Sequence, residues 1–182
     1  MTRISATRCV RIVDLALISV GLLSFVLVAA VSIKAADSSP QLRLDTSKAG
    51  PRAVEPLTER AIARDYRNAW HAMDQALESN SPGSIDGVLT GEARQELRQR
   101  VAGQQKAGLR QVSTAQVHQV NAVFYAPEGD VIELHDTLTC QRQIFDGDKL
   151  LLTEQATRHY VVLMTPTADH WVVRQLQETP QF

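Results

Sequence analysis

One uncharged run, Leu15 to Ile33 (LALISVGLLSFVLVAAVSI), constrains this chain more than any other feature. As a helix rising 1.5 Å per residue it spans roughly 28 Å, about the hydrocarbon thickness of a bilayer. The run predicts a transmembrane helix over residues 15–33. The rival reading is a cleaved signal peptide, whose apolar region is usually about 7–15 residues and therefore shorter. The small residues of Ala30-Val31-Ser32 and Ala35-Ala36 keep cleavage open. No lipobox cysteine follows the run, which argues against lipoprotein processing. Arg3, Arg8 and Arg11 precede it with only Asp14 against them, and Lys34 and Asp37 follow. The positive-inside rule then keeps residues 1–14 in the cytoplasm and sends the remainder out, into a periplasm or equivalent compartment. Anchor and signal alike export the C-terminal part.

That part has room for one ordinary domain, since the whole chain is 182 residues. Nineteen Lys and Arg against twenty Asp and Glu leave a net charge of -1, without the basic excess of a dedicated nucleic-acid binder. Hydrophobic residues at 44% are enough for a core. The two cysteines fall on opposite sides of the predicted span. Cys9 and Cys140 therefore cannot pair within one chain, and Cys140 reads as a small buried hydrophobe.

Residues 34–56 contain Pro40, Gly50, Pro51 and Pro56 and no sustained periodicity, which predicts a tether. The exported domain is expected over 57–182. Thr58 is the expected N-cap of a first helix reaching about Asn80, with Leu57 and Ile62 at hydrophobic-staple spacing. Ile62, Tyr66, Ala69, Trp70, Met73 and Leu77 form one apolar stripe at intervals of three and four. Arg64, Arg67, Asn68, Gln75 and Glu78 take the other face. Ser79 to Gly83 ends this helix. A second is expected from near Thr90 to Ala107, with Ala93, Leu97 and Val101 inward, stopped by Gly108.

Beyond Gly108 the period changes to two. Strands are expected near 111–126, 130–145, 149–165 and 170–178, joined by short turns rich in Pro, Gly and Asp. Two helices before a four-stranded antiparallel meander make an α+β domain, its curved sheet wrapped around the first helix. Tyr66-Arg67-Asn68-Ala69-Trp70, then Leu89-Thr90-Gly91-Glu92-Ala93, then four long strands, resemble the NTF2-like (cystatin-like) superfamily over about 57–178. A single span before such a domain is also similar to VirB8-like secretion components and Mce-associated membrane proteins. These resemblances imply a cone-shaped domain. The superfamily's roles run from isomerases, dehydratases and small-ligand carriers to assembly modules without catalysis.

Asp136 shares the parity of Leu134, Leu138 and Cys140, so it points to the apolar face. An unpaired carboxylate there costs several kcal/mol or takes up a proton. If the hairpin turns symmetrically about Gly147, Arg158 faces Asp136, Tyr160 faces Leu134 and Val162 faces Ile132. Two readings follow. In one, Asp136 and Arg158 form a buried ion pair that fixes register. In the other, Asp136 works in a conical pocket with Tyr66 or Tyr160 as hydrogen-bond donor, as the resemblance to isomerases implies. His71, His118, His135, His159 and His170 show no metal-ligand spacing. His135 and His159 fall on the polar parity, and the register of His118 stays open. No P-loop, GxGxxG, GxSxG or CxxC is present. No catalytic residue, cofactor or metal is therefore assigned.

The expected function is a single-pass envelope protein whose exported domain mediates protein–protein assembly. The alternative is an enzyme or small-ligand binder with a pocket centred on Asp136, the other pocket candidates being Arg158, Tyr66 and Tyr160. Expected partners are the bilayer, an envelope protein and a second copy of the chain. The second copy would sit on the outer sheet face formed by His135, Thr137, Thr139, Gln141 and Gln143 with Thr153, Gln155, Thr157 and His159.

Overall fold

The computed structural model describes residues 40–182, all within the compact unit Ala35–Phe182. The predicted transmembrane helix, its orientation and Cys9 lie outside the described residues. Among the described residues no helix is long and apolar enough to cross a membrane.

The elements run β1 (Gln41–Asp45), α1 (Pro56–Ser79), α2 (Gly91–Ala107), β2 (Leu109–Tyr125), β3 (Ile132–Asp146), β4 (Lys149–Pro166) and β5 (Trp171–Thr179). The five strands form one sheet in sequence order. β2 to β5 make the expected antiparallel meander, and β1 joins its edge parallel to β2, with Gln41 opposite Val117 and Asp45 opposite Asn121. The sheet is therefore mixed and five-stranded, which corrects the expectation of four antiparallel strands. The expected tether over 34–56 is corrected with it, because its middle is β1. Leu42 and Leu44 alternate with Gln41, Arg43 and Asp45 and pack against the core from one face.

α1 begins two residues ahead of the expected cap. Glu55 is the N-cap and Pro56 takes the first helical position, where its missing N–H costs nothing. Thr58 thus sits inside the first turn, and Leu57, 77% exposed, staples nothing. The stripe Ile62, Tyr66, Ala69, Trp70, Met73 and Leu77 is buried throughout against the concave face of the sheet. Asn80 ends α1 in the left-handed conformation. Its side chain donates to the Leu109 carbonyl at the start of β2 and accepts from Gln104 of α2.

α2 starts after Thr90 and ends at Gly108, as expected, and buries Ala93, Leu97 and Val101. Its entry is stitched to the last strand: Thr90 N–H donates to Val173 O, and Val173 N–H to Val88 O. Gly91 sits at φ 53, where a side chain is disfavoured, and an added Cβ would lie 3.2 Å from the Arg174 carbonyl.

The β3–β4 hairpin closes on Gly147-Asp148, with Asp146 opposite Lys149. A bulge then opposes Ile144 to Leu152, and beyond it Leu138 faces Arg158, Asp136 faces Tyr160 and Leu134 faces Val162. The expected register is thus displaced by two residues. The bulge inserts an extra residue near Leu151, and the loop is centred between Gly147 and Asp148 rather than on Gly147. A shift of two keeps every side chain on its own face, so apolar parity alone does not distinguish the registers.

Candidate functional site

The inward faces of β2 and β3 carry polar residues at adjacent positions. On β2, Gln116, His118, Val120 and Ala122 point in and are buried. On β3, Asp136 lies opposite Val120, one diagonal step from His118. α1 lays Tyr66 across both. His118 Nδ1 is 2.7 Å from Asp136 Oδ2, and Tyr66 Oη donates to the same oxygen at 2.8 Å. Asp136 and His118 are wholly buried and Tyr66 nearly so. Burial, and then the Asp136 carboxylate, push the Tyr66 phenol well above its usual range.

The polar chain continues from His118. Its Nε2 lies 3.3 Å from Gln116 Oε1, and Gln116 Nε2 donates to Asp74 Oδ2 at 2.6 Å. Because Gln116 presents its oxygen to His118, Nε2 of the imidazole is the protonated donor. Among the described residues Asp136 Oδ1 finds no hydrogen-bond partner. Asp74, at the outer end, has its carboxyl raised to about 6 by burial, against the lowering effect of the Gln116 hydrogen bond.

This arrangement corrects the expected Asp136–Arg158 pair. Displaced by two positions, Arg158 binds Glu178 on β5 and approaches Glu154 at 3.8 Å. The partner of Asp136 is His118, whose register is set by a bulge between Ala122 and Phe124 that the sequence does not mark; a second irregularity lies beyond it, between Thr114 and Val117. The second holds Ala115 at φ 52. Tyr66 is the donor, as one reading anticipated, whereas Tyr160 stands apart with its ring edge against Trp70 at 5.4 Å. Burial, then Glu178, push the Tyr160 phenol up to about 12.

A cavity of about 190 Å³ does open on the concave face, but it is not centred on Asp136. It lies between α2 and the distal halves of the strands. Trp70, Leu97, Leu138 and Leu176 line its apolar part, and Arg100, Arg142 and Arg158 stand with Glu96, Glu178 and Asp74 around it. Trp70 separates the two regions: it lines the cavity, while its ring lies 4.7 Å from that of His118. Asp74 and Gln116 reach the cavity from the polar chain; His118, Asp136 and Tyr66 do not. Arg142 binds Glu154 but leaves its buried Nε without a partner. Cys140 also lines the cavity, and burial pushes its thiol up, so the reactive thiolate is disfavoured.

The remaining expected candidates are structural or superficial. His135 pairs with Glu133, and His159 contacts Thr137; the two histidines do not bond each other, because the actual register opposes Val161 to His135. The C-terminal Phe182 stacks on His135 at 4.4 Å and meets His159 edge-on. Asp65 escaped the sequence reading. It is buried on α1, held by Arg64, and accepts the backbone N–H of Trp171 at 2.8 Å, fixing the start of β5. Its position beside Tyr66, at the edge of the stripe, was the available signal.

No model of a known protein family matches the chain, and no curated protein matches it. Among solved structures, the intermembrane-space region of the chloroplast protein ARC6 is similar, at 14% identity and a TM-score of 0.55, over 65% of this chain and 94% of that one. A Nostoc punctiforme protein of unknown function with a cystatin-like fold aligns at 17% identity and a TM-score of 0.36, over 70% of this chain and 95% of that one. The ARC6 likeness shows the fold alone, an α+β domain with two helices packed on one curved sheet.

Proposed function

We propose that this protein is a membrane-anchored envelope component whose exported domain mediates protein–protein assembly without catalysis. The observation that carries the reading is the enclosure of Asp136. The acid best placed for chemistry is sealed behind Trp70 with His118 and Tyr66, out of reach of the cavity. A group that never meets substrate is not a catalytic acid or base. The buried cluster instead orders α1, β2 and β3 relative to one another. The envelope origin of the ARC6 region is compatible with this placement.

Two experiments test it. A periplasmic reporter fused after Phe182 should be active in a bacterial host, with the chain retained in membranes at full length; release of a product starting near Ile33 would identify a signal peptide. Photo-crosslinkers at Thr139 and Thr157, on the outer sheet face, should give discrete adducts in membranes, and Asp136→Asn should leave them unchanged. Crosslinking confined to solvent-quenched background opposes assembly through this face.

The second reading, small-ligand binding, is favoured by the cavity itself. Its combination of apolar wall and three arginines suits a small molecule with an apolar body and an anionic group. Thermal-shift screening with such carboxylates would support it if a stabilising hit lost its effect in Arg142→Ala or Arg158→Ala.

A further inference from the structure

The three arginines around the cavity are not equivalent. Arg142 is neutralised by Glu154, and Arg158 by Glu178. Among the described residues Arg100 meets only a neutral acceptor, Gln111 Oε1, to which it donates at 2.9 Å. It stands exposed on α2 at the rim of the cavity. The acids without an arginine are Glu96, exposed one turn earlier on α2, and Asp74, which Gln116 holds on the α1 side.

A second donor is unclaimed nearby. Arg142 Nε is buried without a partner among the described residues, although Nη2 of the same guanidinium binds Glu154. Buried donors are nearly always satisfied, so an orphan N–H on a cavity wall marks a place for an acceptor. The sheet register brings both cations to one corner. Arg142 on β3 lies opposite Ser113 on β2, and Gln111, which holds Arg100, is two residues before Ser113 on the same face. Gln111 and Arg142 are therefore diagonal neighbours, about 7–8 Å apart. Ser113 Oγ, between them, receives only a long 3.4 Å contact from Gln111. A planar acceptor with two oxygens suits such a corner, because each oxygen meets a separate guanidinium donor. Glu96 and Asp74 disfavour a second negative charge there, so the chemistry selects a monoanion over a phosphate ester.

Size limits the rest of the ligand. The space measures about 190 Å³. An apolar cavity of about 150 Å³ accommodates benzene. This one therefore holds a single ring with a short side arm, and neither a long acyl chain nor a sterol. Trp70, Leu97, Leu138 and Leu176 give that ring an apolar wall. We propose that the cavity binds a compact monocarboxylate with an apolar body the size of one aromatic ring, its carboxylate held between Arg100 and the Nε–H of Arg142. This deepens the small-ligand reading given above and rests on it. Arg158 does not touch the anion; it keeps Glu178 neutralised at the cavity wall.

The test is a fluorine NMR titration of the full chain in lipid nanodiscs. The probes are para-fluorophenylacetate and its neutral isostere para-fluorophenylacetamide, with protein-free nanodiscs as blank. The acid should bind at least about tenfold more tightly than the amide. Arg100→Gln, at an exposed position, should keep the melting temperature, weaken the acid about tenfold and leave the amide unchanged. Arg142→Lys keeps a positive charge for Glu154 and removes the Nε–H; it should weaken the acid about fivefold. Arg158→Ala should also weaken the acid by freeing Glu178, and adding Glu178→Gln should restore it. Equal affinity for acid and amide, or an acid that binds Arg100→Gln and Arg142→Lys undiminished, overturns the anion corner and leaves a small-ligand cavity standing. Dodecanoate competing more strongly than phenylacetate overturns the one-ring body. Binding of neither probe overturns the whole proposal. Thermal-shift hits among neutral or larger compounds would then preserve the small-ligand reading, and their absence would remove both.

Discussion

The two ends of this sheet use similar residues to opposite effect. Under α1, the inward faces of β2 and β3 hold an aspartate, a histidine and a glutamine among Val120, Leu134 and Leu138, all buried. Toward the β3–β4 turn, the bulged run Leu150-Leu151-Leu152 is half-exposed and arginines line an open cavity. The difference is cover rather than composition. α1 reaches the first region with Tyr66 and Trp70; β5 stops at Thr179 and β4 continues uncovered. Polarity is thus sealed where a second layer exists, and apolar surface is exposed where it does not. Burial in this domain follows the lengths of neighbouring elements more closely than the hydropathy of each strand.

The sharpest way to break the comparison is at its buried end. Asp136→Ala leaves the His118–Tyr66 arrangement without its acceptor and should cost about 3–5 kcal/mol in urea unfolding, as removal of one partner of a buried pair does. Replacing Asp136 and His118 together should recover part of that loss. Strict additivity would show that the two groups are not coupled. Trp70→Ala should cost a similar amount, about 3–5 kcal/mol. It also removes the wall between cluster and cavity, so amide exchange at His118 and Asp136 should accelerate well beyond that at Val162. Uniform acceleration across the sheet would mean global loosening instead.

Asp74 stands at the boundary, and its effect should be smaller and dependent on pH. Its folded carboxyl titrates near 6 against an ordinary value of 3.8. The folded state therefore holds the proton more tightly, and stability falls as pH rises from about 4 to about 6. Asp74→Asn keeps an acceptor for Gln116 and removes the charge. It should stabilise the domain by about 2 kcal/mol at pH 7.5 and little at pH 4. Equal effects at both pH values would remove titration as the cause. At the open end, Arg158→Ala should cost under about 1 kcal/mol in a thermal melt, since its partners Glu178 and Glu154 are solvated. A loss like that at Asp136 would erase the distinction between the ends.

Periodicity made much of this legible. The α1 stripe, α2 with its Gly108 stop and the four long strands follow from apolar spacing. So does the inward direction of Asp136, because a period of two assigns faces whatever the register. Pairing was less accessible. Arg158 and Tyr160 share one parity, and the centre of the turn together with the bulge near Leu151 decides which meets Asp136. His118 lay behind a further irregularity in β2, between Ala122 and Phe124. β1 is five residues long, and its partner lies more than seventy residues away. Leu42 and Leu44 alternate correctly, but so short a pattern next to prolines resembles a linker.

The hydrogen bond from Trp171 N–H to Asp65 joins residues 106 apart in the chain. Thr90 and Val88 likewise wait for Val173, and Gln41 for Val117. A chain delivered end first, through a ribosome or a translocation pore, therefore has the acceptor in place long before the donor arrives. Its early helix remains without its last tie until the final strand emerges. Contacts between segments so distant in sequence slow folding. During that interval the Ile62–Leu77 stripe is open to holding factors, and passage through a narrow pore meets no finished fold to unravel. The bond that fixes β5 is thus among the last contacts the domain can make.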